Sequence, residues 1–76
     1  MNLSQAKSLQ PGQIIYHASN KNADGSPQRW RVNGQPKTWK RDPNRIQVPL
    51  KHGLYAYGYL TNDYLDHLCL REEDAK

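Results

Sequence analysis

The spacing of the turn signals limits the fold of this chain more than any other feature. Pro11-Gly12, Asp24-Gly25, Asn33-Gly34, Asp42-Pro43-Asn44 and His52-Gly53 recur along its length. Between them lie short apolar runs: Ile14-Ile15-Tyr16, Trp30 to Val32, Ile46 to Leu50 and Leu54 to Leu60. Runs this short, rich in β-branched and aromatic residues and bounded by Gly, Pro, Asn and Asp, predict strands. In Leu54-Tyr55-Ala56-Tyr57-Gly58-Tyr59-Leu60 the alternation is strict, so leucines and tyrosines fall on opposite faces.

A chain of 76 residues makes one domain. Its core is small, because hydrophobic residues are 36% of the total and the mean hydropathy is −1.04. Two Trp and five Tyr provide large buried area per residue. The single cysteine, Cys69, has no partner for an internal disulfide, and a domain of this size without disulfides points to a reducing cytoplasm. Met1 to Gln10 has no apolar leader-like core, and no stretch is long and apolar enough to span a membrane. The expectation is a cytoplasmic protein without a membrane anchor.

Residues 1–10 read as an arm or a helical turn, with Leu3, Ala6 and Leu9 at helical spacing and a cap at Ser4. Gly12 to Ala18 is the first predicted strand, and Ser19 to Pro27 a polar loop. Gln28–Val32 and Lys37–Arg41 flank Asn33-Gly34, a pair that favours a type I′ turn, so a β-hairpin is expected there. Pro36 lacks an N–H and must occupy an edge or non-bonded position. A strand from Arg45 to Leu50 and another from Leu54 to Leu60 follow. Thr61, Asn62 or Asp63 then caps a short helix to about Leu70, with Leu65, Leu68 and Cys69 on its apolar face. Residues 71–76 read as a frayed tail. The fold expected is mainly β: a small SH3-like five-stranded barrel over residues 11–70 with a short C-terminal helix.

The segment Leu9-Gln10-Pro11-Gly12-Gln13-Ile14-Ile15-Tyr16-His17 resembles the opening strand of many SH3-like barrels. Lys21 to Gly25, Arg31 to Gly34, Lys37 to Lys40 and Lys51 to Tyr55 resemble small uncharacterised proteins of tailed bacteriophages. The resemblance covers roughly residues 9–62 and implies a phage or prophage origin, hence the cytoplasm of an infected or lysogenic bacterium. It carries over no functional residues.

Catalysis is not expected. His17, His52 and His67 fall on different predicted elements, and no nucleophile elbow is present. Cys69 reads as an inert core thiol. Paired Cys or His at zinc-binding spacing and a nucleotide-binding glycine loop are both missing from the sequence, so no metal or cofactor is expected.

The charge distribution points instead to binding. Between Lys21 and Lys51 eight Lys and Arg stand against two Asp, whereas from Thr61 onward two basic residues stand against five acidic ones. A basic middle suits nucleic acid or an acidic surface on a host protein. Arg29, Arg31, Lys37, Lys40, Arg41 and Arg45 are the candidate phosphate contacts, with Trp39 and Tyr57 the candidates for stacking on bases. The same residues also read as a solvated hairpin whose cations cover the Trp rings. Tyr55, Tyr57 and Tyr59 read either as a binding stripe or as barrel lining. Three functions fit: a nucleic-acid-binding module, a phage accessory protein that binds and inhibits a host protein, or a virion or assembly component. Self-association as a homodimer is compatible with the last.

Overall fold

The computed structural model describes residues 1–75. Six strands form one antiparallel sheet: β1 (Ile14–Lys21), β2 (Pro27–Val32), β3 (Lys37–Thr38), β4 (Ile46–His52), β5 (Ala56–Thr61) and β6 (Leu68–Cys69). A single helix, α1 (Leu3–Lys7), precedes them, and 3₁₀ turns occupy Asn62–His67 and Glu72–Ala75.

The first turn is capped by Asn2, not Ser4. Its Oδ1 accepts the Gln5 N–H at 2.8 Å while Gln5 Oε1 accepts the Asn2 N–H at 2.9 Å, a reciprocal capping box. This starts the helix two residues earlier than expected, and Ala6 and Leu9 lie in the core. The Met1 amine donates to the carbonyls of Leu65 and Leu68, both at 2.7 Å, tying α1 to the far end of the chain.

The tight hairpin lies at Asp24-Gly25, within the segment expected to be loop. Asn22 donates its N–H to Ser26 O at 2.7 Å, and Gly25 takes a φ of +87°. Asp24 Oδ1 accepts from both the N–H and the hydroxyl of Ser26, which fixes the turn joining β1 to β2.

The expected hairpin about Asn33-Gly34 does not form. β2 pairs with Leu50 and Lys51 of β4, and β3 pairs with Ile46 and Gln47 of the same strand. Both run antiparallel to β4, so they point the same way and act as two pieces of one interrupted strand. The interruption faces Pro49. In an antiparallel ladder a residue's N–H and C=O point to the same neighbour. Pro49 accepts the Asn33 N–H at 2.7 Å but has no N–H to return. Gly34 passes so close to that ring that a Cβ would lie 2.9 Å from Pro49 Cγ, at a φ of +155°. The glycine is thus needed for a close approach rather than for a reversing turn.

β4 alternates cleanly. Ile46, Val48 and Leu50 are buried, while Gln47, Pro49 and Lys51 face the other way. Ile15, Val32, Leu60 and Leu68 join the buried set, with Ala6 and Leu9 of α1 packed against it. Each fully buried Leu, Ile or Val contributes about 1.5–3 kcal/mol. Trp30 lies half-buried on this core side, 5.0 Å from His52 ring to ring, with its six-membered ring beneath Gly58.

The expected short C-terminal helix is a 3₁₀ helix over Asn62–His67 with Thr61 at its N-cap position, and it gives way to a strand at Leu68 rather than continuing to about Leu70. The Asn62 side chain accepts from Ile46 N–H at 3.0 Å and donates to Asn44 O, so it serves β4 and not a helix N-terminus. At Leu68 the backbone extends (φ −124°, ψ 143°) and pairs with β1, opposite His17. Cys69 is therefore on a strand, half-buried, with Sγ 3.5 Å from Asp74 O. Within the segment expected to be a tail, Glu72–Ala75 form a 3₁₀ turn in which Ala75 is buried and its carbonyl accepts from Lys21 Nζ. Lys76, the last residue of the expected tail, lies outside the described residues.

The sheet is open. Among the described residues β5 pairs only with β4 and β6 only with β1, so the expected five-stranded barrel does not close. No helix among the described residues is long and apolar enough to cross a membrane.

Candidate nucleic-acid interface

Strand alternation sorts five of the expected binding residues, Arg29, Arg31, Lys37, Tyr57 and Tyr59, onto the sheet face opposite the core. Register places Tyr57, Lys51, Arg31 and Ile14 side by side across β5, β4, β2 and β1. The next rank along holds Tyr59 beside Pro49, and the one beyond it holds Thr61, Gln47 and Lys37. Arg29 lies beside Tyr16. None of these positions carries an acidic side chain. Arg29, Arg31 and Lys51, with Ile14, Gly53 and Leu54, line a surface hollow of about 470 Å³.

Arg31 and Lys51 are direct cross-strand partners of like charge. Such a pair costs stability, because side chains directly opposite are only about 4.5–5.5 Å apart at Cβ. The only ion pairs among the described residues are those of Arg71 with Glu73 and Asp74. Arg29, Arg31, Lys37, Lys40, Arg41, Arg45 and Lys51 thus lack a carboxylate partner among them.

The tyrosines face outward. Tyr55, Tyr57 and Tyr59 are 89%, 65% and 58% exposed, and Lys51 Nζ sits 5.4 Å from the centre of the Tyr57 ring. The leucine face of this strand is only partly core. Leu60 is buried, but Leu54 is 75% exposed at the β4–β5 hairpin tip and Ala56 is also exposed.

Trp39 sits apart from the hollow. It is half-buried in the 39–45 connection, with Arg45 Cζ 4.1 Å and Lys37 Nζ 5.1 Å from its ring centre. Its stacking partners are already cations, in keeping with a ring covered by basic side chains. Lys40 and Arg41 are exposed in the same connection. Lys37 links the two regions, being paired with Gln47 on the tyrosine face and close to Trp39.

A second cluster joins residues far apart in sequence. The His17 and His67 rings stack at 6.2 Å with 27° between planes, and Ser19 Oγ is hydrogen-bonded to His67 Nδ1 at 3.2 Å. Tyr64 lies 5.9 Å from His67, ring to ring. His17 Nδ1 accepts the N–H groups of Ser19 and Asn20 at 3.1 and 3.0 Å, holding the β1 bulge that lies between His17 and Lys21. Burial, then His67, then Lys21 push the His17 pKa below its ordinary 6.5. A hollow of about 400 Å³ adjoins, walled in part by His17, Trp30, Tyr59 and Tyr64. Trp30 Nε1 is buried without a hydrogen-bond partner among the described residues.

Among the described residues no carboxylate is bonded to either imidazole to orient it, and no group of three or more His, Cys, Asp or Glu is placed to hold a metal. The bonds that His17 Nδ1 accepts make the arrangement a clamp on the β1 bulge. Sequence reasoning missed it because its members are brought together only by the β1–β6 pairing and the 3₁₀ turn. Comparisons with protein-family models, with curated proteins and with solved structures give no match to this chain.

Proposed function

We propose that this chain is a non-catalytic module that binds nucleic acid through its phosphates on the sheet face opposite the core. The observation that carries the reading is the like-charged pair Arg31–Lys51, held side by side with Arg29 around one hollow and without an acidic neighbour on that face. A polyanion converts that repulsion into attraction. Phosphates held by such cations release counterions, so affinity falls with salt.

The strand connections also support reading the fold as an opened SH3-like barrel. β1, β2, β4 and β5 follow one another as neighbours, and a 3₁₀ turn leads into a short last strand that returns to pair with β1. β3 is then an accessory piece on the β4 edge.

Fluorescence anisotropy with a labelled oligonucleotide, at about 50 and 200 mM salt, tests the function. Saturable binding should weaken steeply between the two salts. Arg31→Glu should weaken it further without changing sequence preference, because phosphate contacts position a chain rather than read it. Affinity that does not change with salt would remove phosphate contact as the mechanism. A second reading, a phage-encoded protein that binds a host protein, draws on Leu54 and Tyr55 at the hairpin tip, the most exposed large hydrophobics. Absence of any oligonucleotide binding at low salt would move the weight to that tip.

A further inference from the structure

Taking nucleic-acid binding as given, we infer that the ligand is a single strand, with successive bases stacked on Tyr57 and Tyr59 while its phosphates run along Lys51, Arg31 and Arg29. The argument begins with strand geometry. Tyr57 and Tyr59 are two residues apart on β5 and share a face, so their Cα atoms are separated by about 6.5–7 Å. The bases of a duplex follow one another every 3.4 Å or so and are stacked on each other. One base per tyrosine therefore requires a strand pulled out to roughly twice the duplex step, with its base faces uncovered. Only unpaired nucleic acid offers that, and aromatic side chains beside a basic groove are the usual platform for it.

The placement of charge agrees. β5 is the outer strand, paired on its β4 side alone. The cations come next inward in the same rank, Lys51 opposite Tyr57 and Arg31 opposite Lys51. In the Tyr57 rank a base at the sheet edge and its phosphate over β4 and β2 thus fall on residues of matching chemistry, while Tyr59, beside Pro49, offers the next base its ring alone. Lys51 already lies over the Tyr57 ring, which remains 65% exposed. Tyr55 lies beyond the end of β5, in the hairpin loop, and is not part of this regular spacing.

The test is anisotropy with a labelled oligothymidylate of roughly a dozen nucleotides and with a mixed-sequence duplex of the same length. Wild type, Tyr57→Leu, Tyr59→Leu and Tyr57→Phe are compared. The single strand should bind about tenfold or more tighter than the duplex. Each Leu variant should lose about 5- to 100-fold on the single strand, with its salt slope unchanged, and Tyr57→Phe should keep wild-type affinity because the stacking face is retained. A duplex bound as tightly as the single strand, with the tyrosine variants indistinguishable from wild type, overturns the single-strand inference and leaves phosphate binding intact. No binding of either probe at low salt overturns the nucleic-acid reading itself. All three substitutions fall on exposed side chains, and an unchanged circular dichroism spectrum separates lost contact from lost fold.

Discussion

At the scale of single residues, His17 has the most consequential environment. Its Nδ1 is a hydrogen-bond acceptor for two backbone N–H groups, and protonation removes that lone pair. Burial, the His67 ring and Lys21 all disfavour the charged form. A histidine whose folded pKa is depressed binds protons more readily when unfolded, so its contribution is complete above the ordinary 6.5 and is lost as pH falls from there through the lower folded value. The urea midpoint should therefore drop between about pH 7 and pH 5, and His17→Gln should flatten that part of the profile. An identical pH profile for wild type and variant would show that the clamp is not coupled to folding. None of this was legible from sequence. His17 and His67 are separated by most of the chain, and only the pairing of β6 with β1 stacks them.

Among the elements, β4 organises the molecule and also explains where sequence patterns misled. Its alternation of Ile46, Val48 and Leu50 was readable, as were the apolar centres of β1, β2 and β5. The Asn33-Gly34 signal was not, because the same dipeptide serves a reversing turn and a close backbone approach equally well. The missing N–H of Pro49, 15 residues further on, selects the second. Gly34→Ala should accordingly destabilise by about 1–3 kcal/mol, from its positive φ and the contact with the Pro49 ring together. In a Pro49→Ala background the contact part should disappear, which denaturant unfolding of the four members of the cycle measures. A full, unrelieved cost there would assign the effect to backbone conformation alone. The expected C-terminal helix takes the tighter 3₁₀ form and stops at His67 for a related reason. Leu65 and Leu68 are three residues apart, a spacing that suits α and 3₁₀ turns alike, and Asn62 is drawn to the β4 backbone.

Across the whole molecule, the polarity of charge was legible before the fold was. The basic middle of the sequence becomes a face of the sheet, and the acidic end becomes the 3₁₀ segments beside β6. What sequence could not supply was the division of the basic residues into two groups, Arg29, Arg31 and Lys51 about the hollow and Lys37 and Arg45 about Trp39. That division follows the gap opposite Pro49, and the gap has a consequence for cooperativity. Ladder bonds transmit stability along a strand, and where they lapse, neighbouring pieces are free to melt separately. β3 and the connection carrying Trp39 should behave as one opening unit and β2 with the rest of the sheet as another. Hydrogen exchange in low denaturant should show β3 amides opening by small fluctuations and β2 amides only with global unfolding. A shared denaturant dependence for both would mean that the break is mechanically silent. If the units are separate, one end of the basic face is a hinged flap that can reshape itself around a ligand while the tyrosine end stays fixed.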